Sequence, residues 1–171
     1  AAHNETLAQV CAAVADDSSL QLIVRFKAHF AYGEYGDSLD IKRKIIDRYN
    51  RGNIVIDSSG DLYERLFLAD VVIVSISTVG LEAMLFGKPV IVVGSRGMAD
   101  LVDYVRAGAA VHVTTAAELR QAITQSLDDV QFRNRLALAQ QRFVTANFAN
   151  IHDADPLARI RDLLLESTGR P

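Results

Sequence analysis

The sequence predicts an α/β domain built on a doubly wound parallel sheet, with helices on both faces and a helical carboxyl-terminal tail. Three observations carry that prediction. Val71 to Val74 and Pro89 to Val93 are unbroken, largely β-branched runs of strand length, the composition of strands covered on both faces of a parallel sheet. One short helical segment separates them: Ser77 or Thr78 can cap its amino end, Gly87 can take the left-handed position that ends it, and Pro89 stops it continuing. Strand-like and helix-like segments alternate along most of the chain, a pattern that demands crossover connections and so parallel pairing.

From the amino end, residues 5–15 place Leu7, Val10, Cys11 and Val14 at helical spacing, with Asn4 as the cap. Leu20 to Phe30 reads as a strand whose second half alternates, putting Arg25, Lys27 and His29 on one face. A polar helix over Asp40 to Tyr49 draws its apolar stripe from Ile41, Ile45 and Ile46. Asn53 to Ile56 is the next strand, and a Ser58-Ser59-Gly60 turn leads into a helix with Asp61 and Glu64 at capping-box spacing. Beyond the central unit, Ser95-Arg96-Gly97 is a loop, Ala99 to Arg106 a helix and Ala110 to Val113 a short last strand.

Three helices close the chain. Leu119 and Ile123 mark the buried side of the first, Phe132, Leu136, Ala139 and Phe143 that of the second, and Leu157, Ile160 and Leu164 that of the third, which Asp155-Pro156 opens. Doubly wound domains ordinarily begin with a strand, whereas this chain begins with a helix. The expectation is therefore one domain over residues 1–171 that forms part of a longer protein, with a first strand ahead of residue 1 or a neighbouring chain completing the sheet in a homo-oligomer.

At 171 residues and 50% hydrophobic composition the chain can bury a substantial core. A net charge of −3 with both signs interspersed argues against a nucleic-acid footprint and against a strongly basic membrane face. The single Cys11 excludes an internal disulfide and a cysteine zinc site, and in its Ala-rich stretch it reads as a buried structural thiol, in keeping with a cytoplasmic setting. The apolar runs fall short of the roughly 18 residues of a membrane span, and Ala-Ala-His-Asn-Glu lacks the regions of a signal peptide.

Several motifs are missing, and their absence narrows the chemistry. No G-x-G-x-x-G follows a strand, no G-x-S-x-G elbow exists, and no histidine pair has metal-ligand spacing. Gly80 to Gly87-Lys88 superficially resembles a P-loop, but the spacing is too long and Pro89 stands where a hydroxyl is required. What remains is the polar turn Ser75-Ile76-Ser77-Thr78 at the carboxyl end of a central strand, the edge at which open α/β sheets bind ligands. Free amides, the positive end of a helix and the Ser77 and Thr78 hydroxyls make an anion site there, with phosphate as its natural ligand. The alternative is that Ser77 or Thr78 is only a cap.

Glu82 stands four residues after Thr78, outside capping-box spacing, and shares a helix face with Leu85 and Phe86. Its carboxylate can accept two hydroxyl hydrogen bonds from a ribose; a solvated first-turn acid is the alternative. His29 ends the basic-faced strand and can donate to phosphate or act as acid or base, against the alternative of a structural histidine. Arg25 and Lys27 can instead pair with acids such as Asp57. Arg96, in the loop after the next strand, can reach a phosphate at the same edge, or simply lie exposed. His112 reads as packing within a strand.

Leu66 to Ser75, Ser77-Thr78, Gly80-Leu81-Glu82-Ala83 and Gly87-Lys88-Pro89-Val90-Ile91 together resemble the donor-nucleotide half of GT-B glycosyltransferases. The block is also similar to the corresponding domain of UDP-N-acetylglucosamine 2-epimerases and of the transferases that build capsule or teichoic-acid polymers. The strand ending Phe26-Lys27-Ala28-His29 resembles theirs that ends in a histidine near the phosphates, although Phe30 stands where proline often follows. The resemblance spans about Leu20 to Val113 and implies a Rossmann-like fold. It also implies a phosphate-binding turn at Ser77-Thr78, a ribose-binding Glu82, and Ser75, Gly80 and Arg96 among the residues around the donor.

By the same resemblance, the chain would be the nucleotide-sugar-binding half of a glycosyltransferase for surface polysaccharide or glycoconjugate. It would need no cofactor beyond the nucleotide-diphosphate sugar as substrate, and would be inactive without an amino-terminal acceptor domain. The full-length enzyme would work in the cytoplasm, with peripheral association at the inner membrane face. An epimerase or hydrolase using the same donor half is the first alternative, although such enzymes typically carry a Ser-Gly-Gly turn where this chain has Ser-Thr-Val-Gly. A non-catalytic α/β binding module is the second.

Overall fold

Five short strands and seven helices alternate along the described residues of the computed structural model, 2–26, 39–57, 60–95, 97 and 103–147. The fold is α/β, Rossmann-like and doubly wound. Strands β1 (Leu22–Val24) and β2 (Ile54–Ile56) pair in parallel. Strands β3 (Val72–Val74), β4 (Val90–Val93) and β5 (Val111–Val113) form a second parallel sheet in that order. The helices are α1 (Ala2–Val14), α2 (Leu39–Tyr49), α3 (Leu62–Leu68), α4 (Val79–Leu85), α5 (Asp103–Arg106), α6 (Ala116–Asp128) and α7 (Val130–Asn147).

Side-chain alternation along the strands divides the apolar interior in two. On one face Val24, Ile54, Ile91, Val93 and Val113 pack with Cys11 of α1, Ile46 of α2 and Leu119 of α6. On the other face Val72, Val74, Val90 and Val92 pack with Leu66 of α3, Ala83 of α4 and Tyr104 of α5. Strand β4 serves both, and Val90, Ile91, Val92 and Val93 are each fully buried at 0% exposure. Removing each such side chain from water is worth about 1.5–3 kcal/mol, which makes β4 the chief apolar anchor of the second sheet.

The ends of the helices show why they stop where they do. Asp61 caps α3, its carboxylate accepting from the Tyr63 and Glu64 amides. Gly87 takes φ +67 after α4, the left-handed conformation that ends a helix at little cost to glycine. Thr115 and Glu118 form a complete capping box at α6, with the Thr-x-x-Glu spacing such a box requires. The Thr114 amide and hydroxyl, with those of Thr115, hold the Glu118 carboxyl below its usual range.

Several expectations are corrected. Helix α1 begins at Ala2, so Asn4 lies inside it and is not its cap. The strand expected over Leu20 to Phe30 is confined to Leu22–Val24 among the described residues. Of the stripe expected on α2, Ile46 is buried at 2% exposure, but Ile41 is 42% exposed, and Lys42, 4% exposed, is buried instead of it with its ammonium 5.9 Å from the Phe26 ring centroid. Cys11 is fully buried, and burial pushes its thiol up to about 11, as befits a packing residue. The helix expected around Leu157, Ile160 and Leu164 lies outside the described residues, as do residues 99–102 of the helix expected over Ala99 to Arg106. Among the described residues no helix is long and apolar enough to cross a membrane.

Candidate functional site

At the carboxyl end of β3 the chain turns through Ser75 to Thr78 before α4 begins. Ser77 performs the capping: its hydroxyl accepts the Val79 amide at 3.2 Å and its carbonyl the Gly80 amide at 3.3 Å. The Thr78 carbonyl accepts from Leu81 at 2.9 Å and from Glu82 at 3.2 Å. Thr78 occupies the cap position itself, yet its hydroxyl makes no capping bond. Among the described residues the Ser77 and Thr78 amides have no acceptor, and the Ser75 hydroxyl is buried without a partner. Fewer amides are therefore open than a bare helix terminus offers, but two amides and two hydroxyls are unspent within four residues.

The turn is held from behind by Tyr104. This α5 residue is 4% exposed and donates its phenol hydroxyl to the Ser77 carbonyl at 3.3 Å. Burial pushes the phenol upward, so it remains a donor throughout the neutral range. Gly80 is required by the same contact, because a Cβ there would lie 2.6 Å from the Tyr104 hydroxyl and 3.0 Å from its ring carbon. Gly80 thus sits on the packed side of the turn and sets its position through Tyr104. The sequence carries no local signal for Tyr104, whose partner lies 27 residues away.

Glu82 lies one turn further along α4, half-buried, and its carboxylate has no hydrogen bond or ion pair among the described residues. The neighbours expected to hold it against the protein are themselves open, Leu85 at 50% and Phe86 at 38% exposure. That face of α4 is a surface rather than a packed wall. The chemistry available at the end of β3 is a set of neutral donors followed, one turn on, by an unpaired carboxylate.

The ends of β1 and β2 differ. Asp57, immediately after β2, accepts from Arg25 at 3.1 Å and from Arg65 of α3 at 2.6 Å, and Arg25 also donates to the Gly60 carbonyl at 3.1 Å. The expected Arg25–Asp57 pairing is present; Arg65 is an addition that spacing did not reveal. His29 and Arg96 lie outside the described residues, as does Lys27. His112 has a ring nitrogen 3.0 Å from the carbonyl of Gly94, the residue that follows β4, a contact within the protein in keeping with packing. Among the described residues no group of three or more His, Cys, Asp or Glu side chains is placed to hold a metal ion. In comparison with known proteins, the chain matches no family model and no curated protein.

Proposed function

We propose that this chain is the donor-nucleotide half of a GT-B glycosyltransferase acting in surface polysaccharide or glycoconjugate synthesis. One observation supports it above the rest: the polar groups of Ser75, Ser77, Thr78 and Glu82 that no described residue uses fall within eight residues of chain at the carboxyl end of the parallel strand β3. In this reading the Ser77 and Thr78 amides and the Thr78 hydroxyl hold the donor diphosphate, and Glu82 accepts from the ribose hydroxyls. Donors fixed by Tyr104 and Gly80 need no rearrangement as charge develops on the departing nucleoside diphosphate, so they favour the transition state. His29 and Arg96 enter this reading from the sequence alone, as further phosphate contacts or, for His29, an acid or base.

Calorimetric titration with UDP, CDP, CMP and GDP tests the proposal, on the native chain and on Glu82→Ala, each first shown to be folded by circular dichroism. Saturable binding of one nucleotide is expected, weakened at least about tenfold by Glu82→Ala, since two hydrogen bonds to a charged acceptor are lost. A folded native chain that binds none of the four, or binds one equally well without Glu82, overturns this assignment of the site and favours a binding module of another kind.

A further inference from the structure

Helices α3 and α4 carry apolar side chains on two faces. On the inner face Leu66 of α3 and Ala83 and Met84 of α4 are buried in the apolar interior. The outer face is apolar as well: Tyr63 is 54% exposed, Phe67 69%, Leu68 65%, Leu85 50% and Phe86 38%. A surface helix buries one apolar stripe, and a helix that is apolar on both sides belongs in an interior. Among the described residues the second stripe packs into neither apolar cluster.

These outer side chains form one prebuilt surface. Tyr63 and Phe86 stack with ring centroids 6.0 Å apart and an interplanar angle of 22°, which joins α3 to α4. Phe67 lies one turn beyond Tyr63 on α3, so the two rings share a face. Lys88 steadies that end: its ammonium donates to the Phe67 carbonyl at 2.7 Å and lies 5.8 Å from the Phe67 ring centroid. Rings positioned in advance lower the ordering cost of binding. With each whole side chain taken at about 150–250 Å², the exposed fractions present on the order of 500 Å². That lies in the upper part of the range of about 300–600 Å² for the largest apolar patch on a monomer, a patch that is often functional.

The charge around this surface is negative. Glu64 stands one turn before Phe67 and Leu68, Asp70 follows Leu68 by two residues, and Glu82 stands one turn before Leu85 and Phe86. None of these three carboxylates has a hydrogen bond or ion pair among the described residues. The neighbouring cations are already engaged, Arg65 with Asp57 and Lys88 with the Phe67 carbonyl and ring. A second copy of this chain would set like charges against one another, and an anionic bilayer would be repelled. The apolar area, on the order of 500 Å², also falls short of the about 800 Å² that each globular partner buries in a standard interface. A single short element with positive flanks fits both the area and the charge.

We infer that the outer face of α3 and α4 is a docking surface for a basic amphipathic helix of a partner protein. The apolar stripe of that helix packs on Tyr63, Phe67 and Phe86, and lysine or arginine on its flanks meets Glu64 and Asp70. Aromatic side chains fixed in this way are the common anchors of protein interfaces. The inference rests on the exposed stripe and the charges beside it, leaves the Ser75 to Thr78 turn untouched and is independent of any nucleotide.

NMR titration of the 171-residue chain tests it. The probe is an amidated peptide of about four helical turns, with leucine on one face and lysine on the other. Saturable binding is expected, with amide shifts concentrated at Tyr63, Phe67, Leu68, Leu85 and Phe86. Phe67→Ala, at a side chain that packs into neither apolar cluster, should keep the fold and weaken binding at least about tenfold. Glu64→Gln combined with Asp70→Asn should weaken it at least about threefold, and exchanging the peptide's lysines for glutamates at least about tenfold. No binding, shifts centred elsewhere, or equal affinity in any of these three comparisons overturns the inference. Concentration-dependent sedimentation of the chain alone, abolished by Phe67→Ala, would assign the face to a second copy and overturn it too.

Discussion

The carboxyl ends of β2 and β3, one strand from each parallel sheet, treat polar residues in opposite ways. After β2, Asp57 is 10% exposed in its side chain and is bound by two guanidinium groups, so its charge is consumed within the protein. After β3, the Ser75 hydroxyl, the Thr78 hydroxyl and the Glu82 carboxylate are left unspent among the described residues, while Ser77 and Tyr104 hold the turn in shape. Charged residues at a ligand-binding edge need not be ligand residues. What distinguishes the two places is whether the protein's own groups already satisfy them.

That contrast makes the Asp57 network the more costly to disturb. Asp57→Asn leaves two guanidinium groups facing a neutral amide, and a loss of about 2–3 kcal/mol is expected in urea unfolding, below the cost of breaking a fully buried pair because both arginines reach solvent. A change under about 0.5 kcal/mol, the usual range for a surface substitution, would place Asp57 with the unspent groups instead.

Gly80→Ala comes next, at about 1–3 kcal/mol, because the new methyl would press on the Tyr104 hydroxyl at 2.6 Å. Tyr104→Phe in the same chain should recover part of that loss by removing the oxygen while leaving the 3.0 Å ring contact. Thermal unfolding of the two single variants and the double variant measures the coupling, and strictly additive losses would refute the contact.

The smallest effects separate adjacent hydroxyls. Ser77→Ala should cost about 1 kcal/mol as a lost cap, whereas Thr78→Ala should stay within about 0.5 kcal/mol because its hydroxyl caps nothing. Equal losses in denaturant titrations would erase the distinction between a residue that builds the turn and one left available to a ligand.

Much of this was legible in order along the chain. The apolar runs at Val71 to Val74 and Pro89 to Val93 located β3 and β4, because a strand buried on both faces admits little else. Asp61 and Gly87 marked helix ends through chemistry confined to one turn. The Ser75 to Thr78 turn was found for the same reason. Lys42 was misjudged in favour of Ile41 because helical periodicity does not register that a lysine stem can be buried beneath a ring contributed by another segment.

The sequence by itself determined the alternation of elements, the parallel pairing that alternation compels and the polar turn at the end of β3, since each follows from hydrogen bonding and periodicity over a few residues. Only the tertiary structure decided that Arg65 joins Asp57 and that Tyr104 fixes the turn. Those depend on crossovers that bring distant residues together, and no local property of Arg65 or Tyr104 distinguishes it from any other arginine or tyrosine in the chain until the sheet and its helices have been packed.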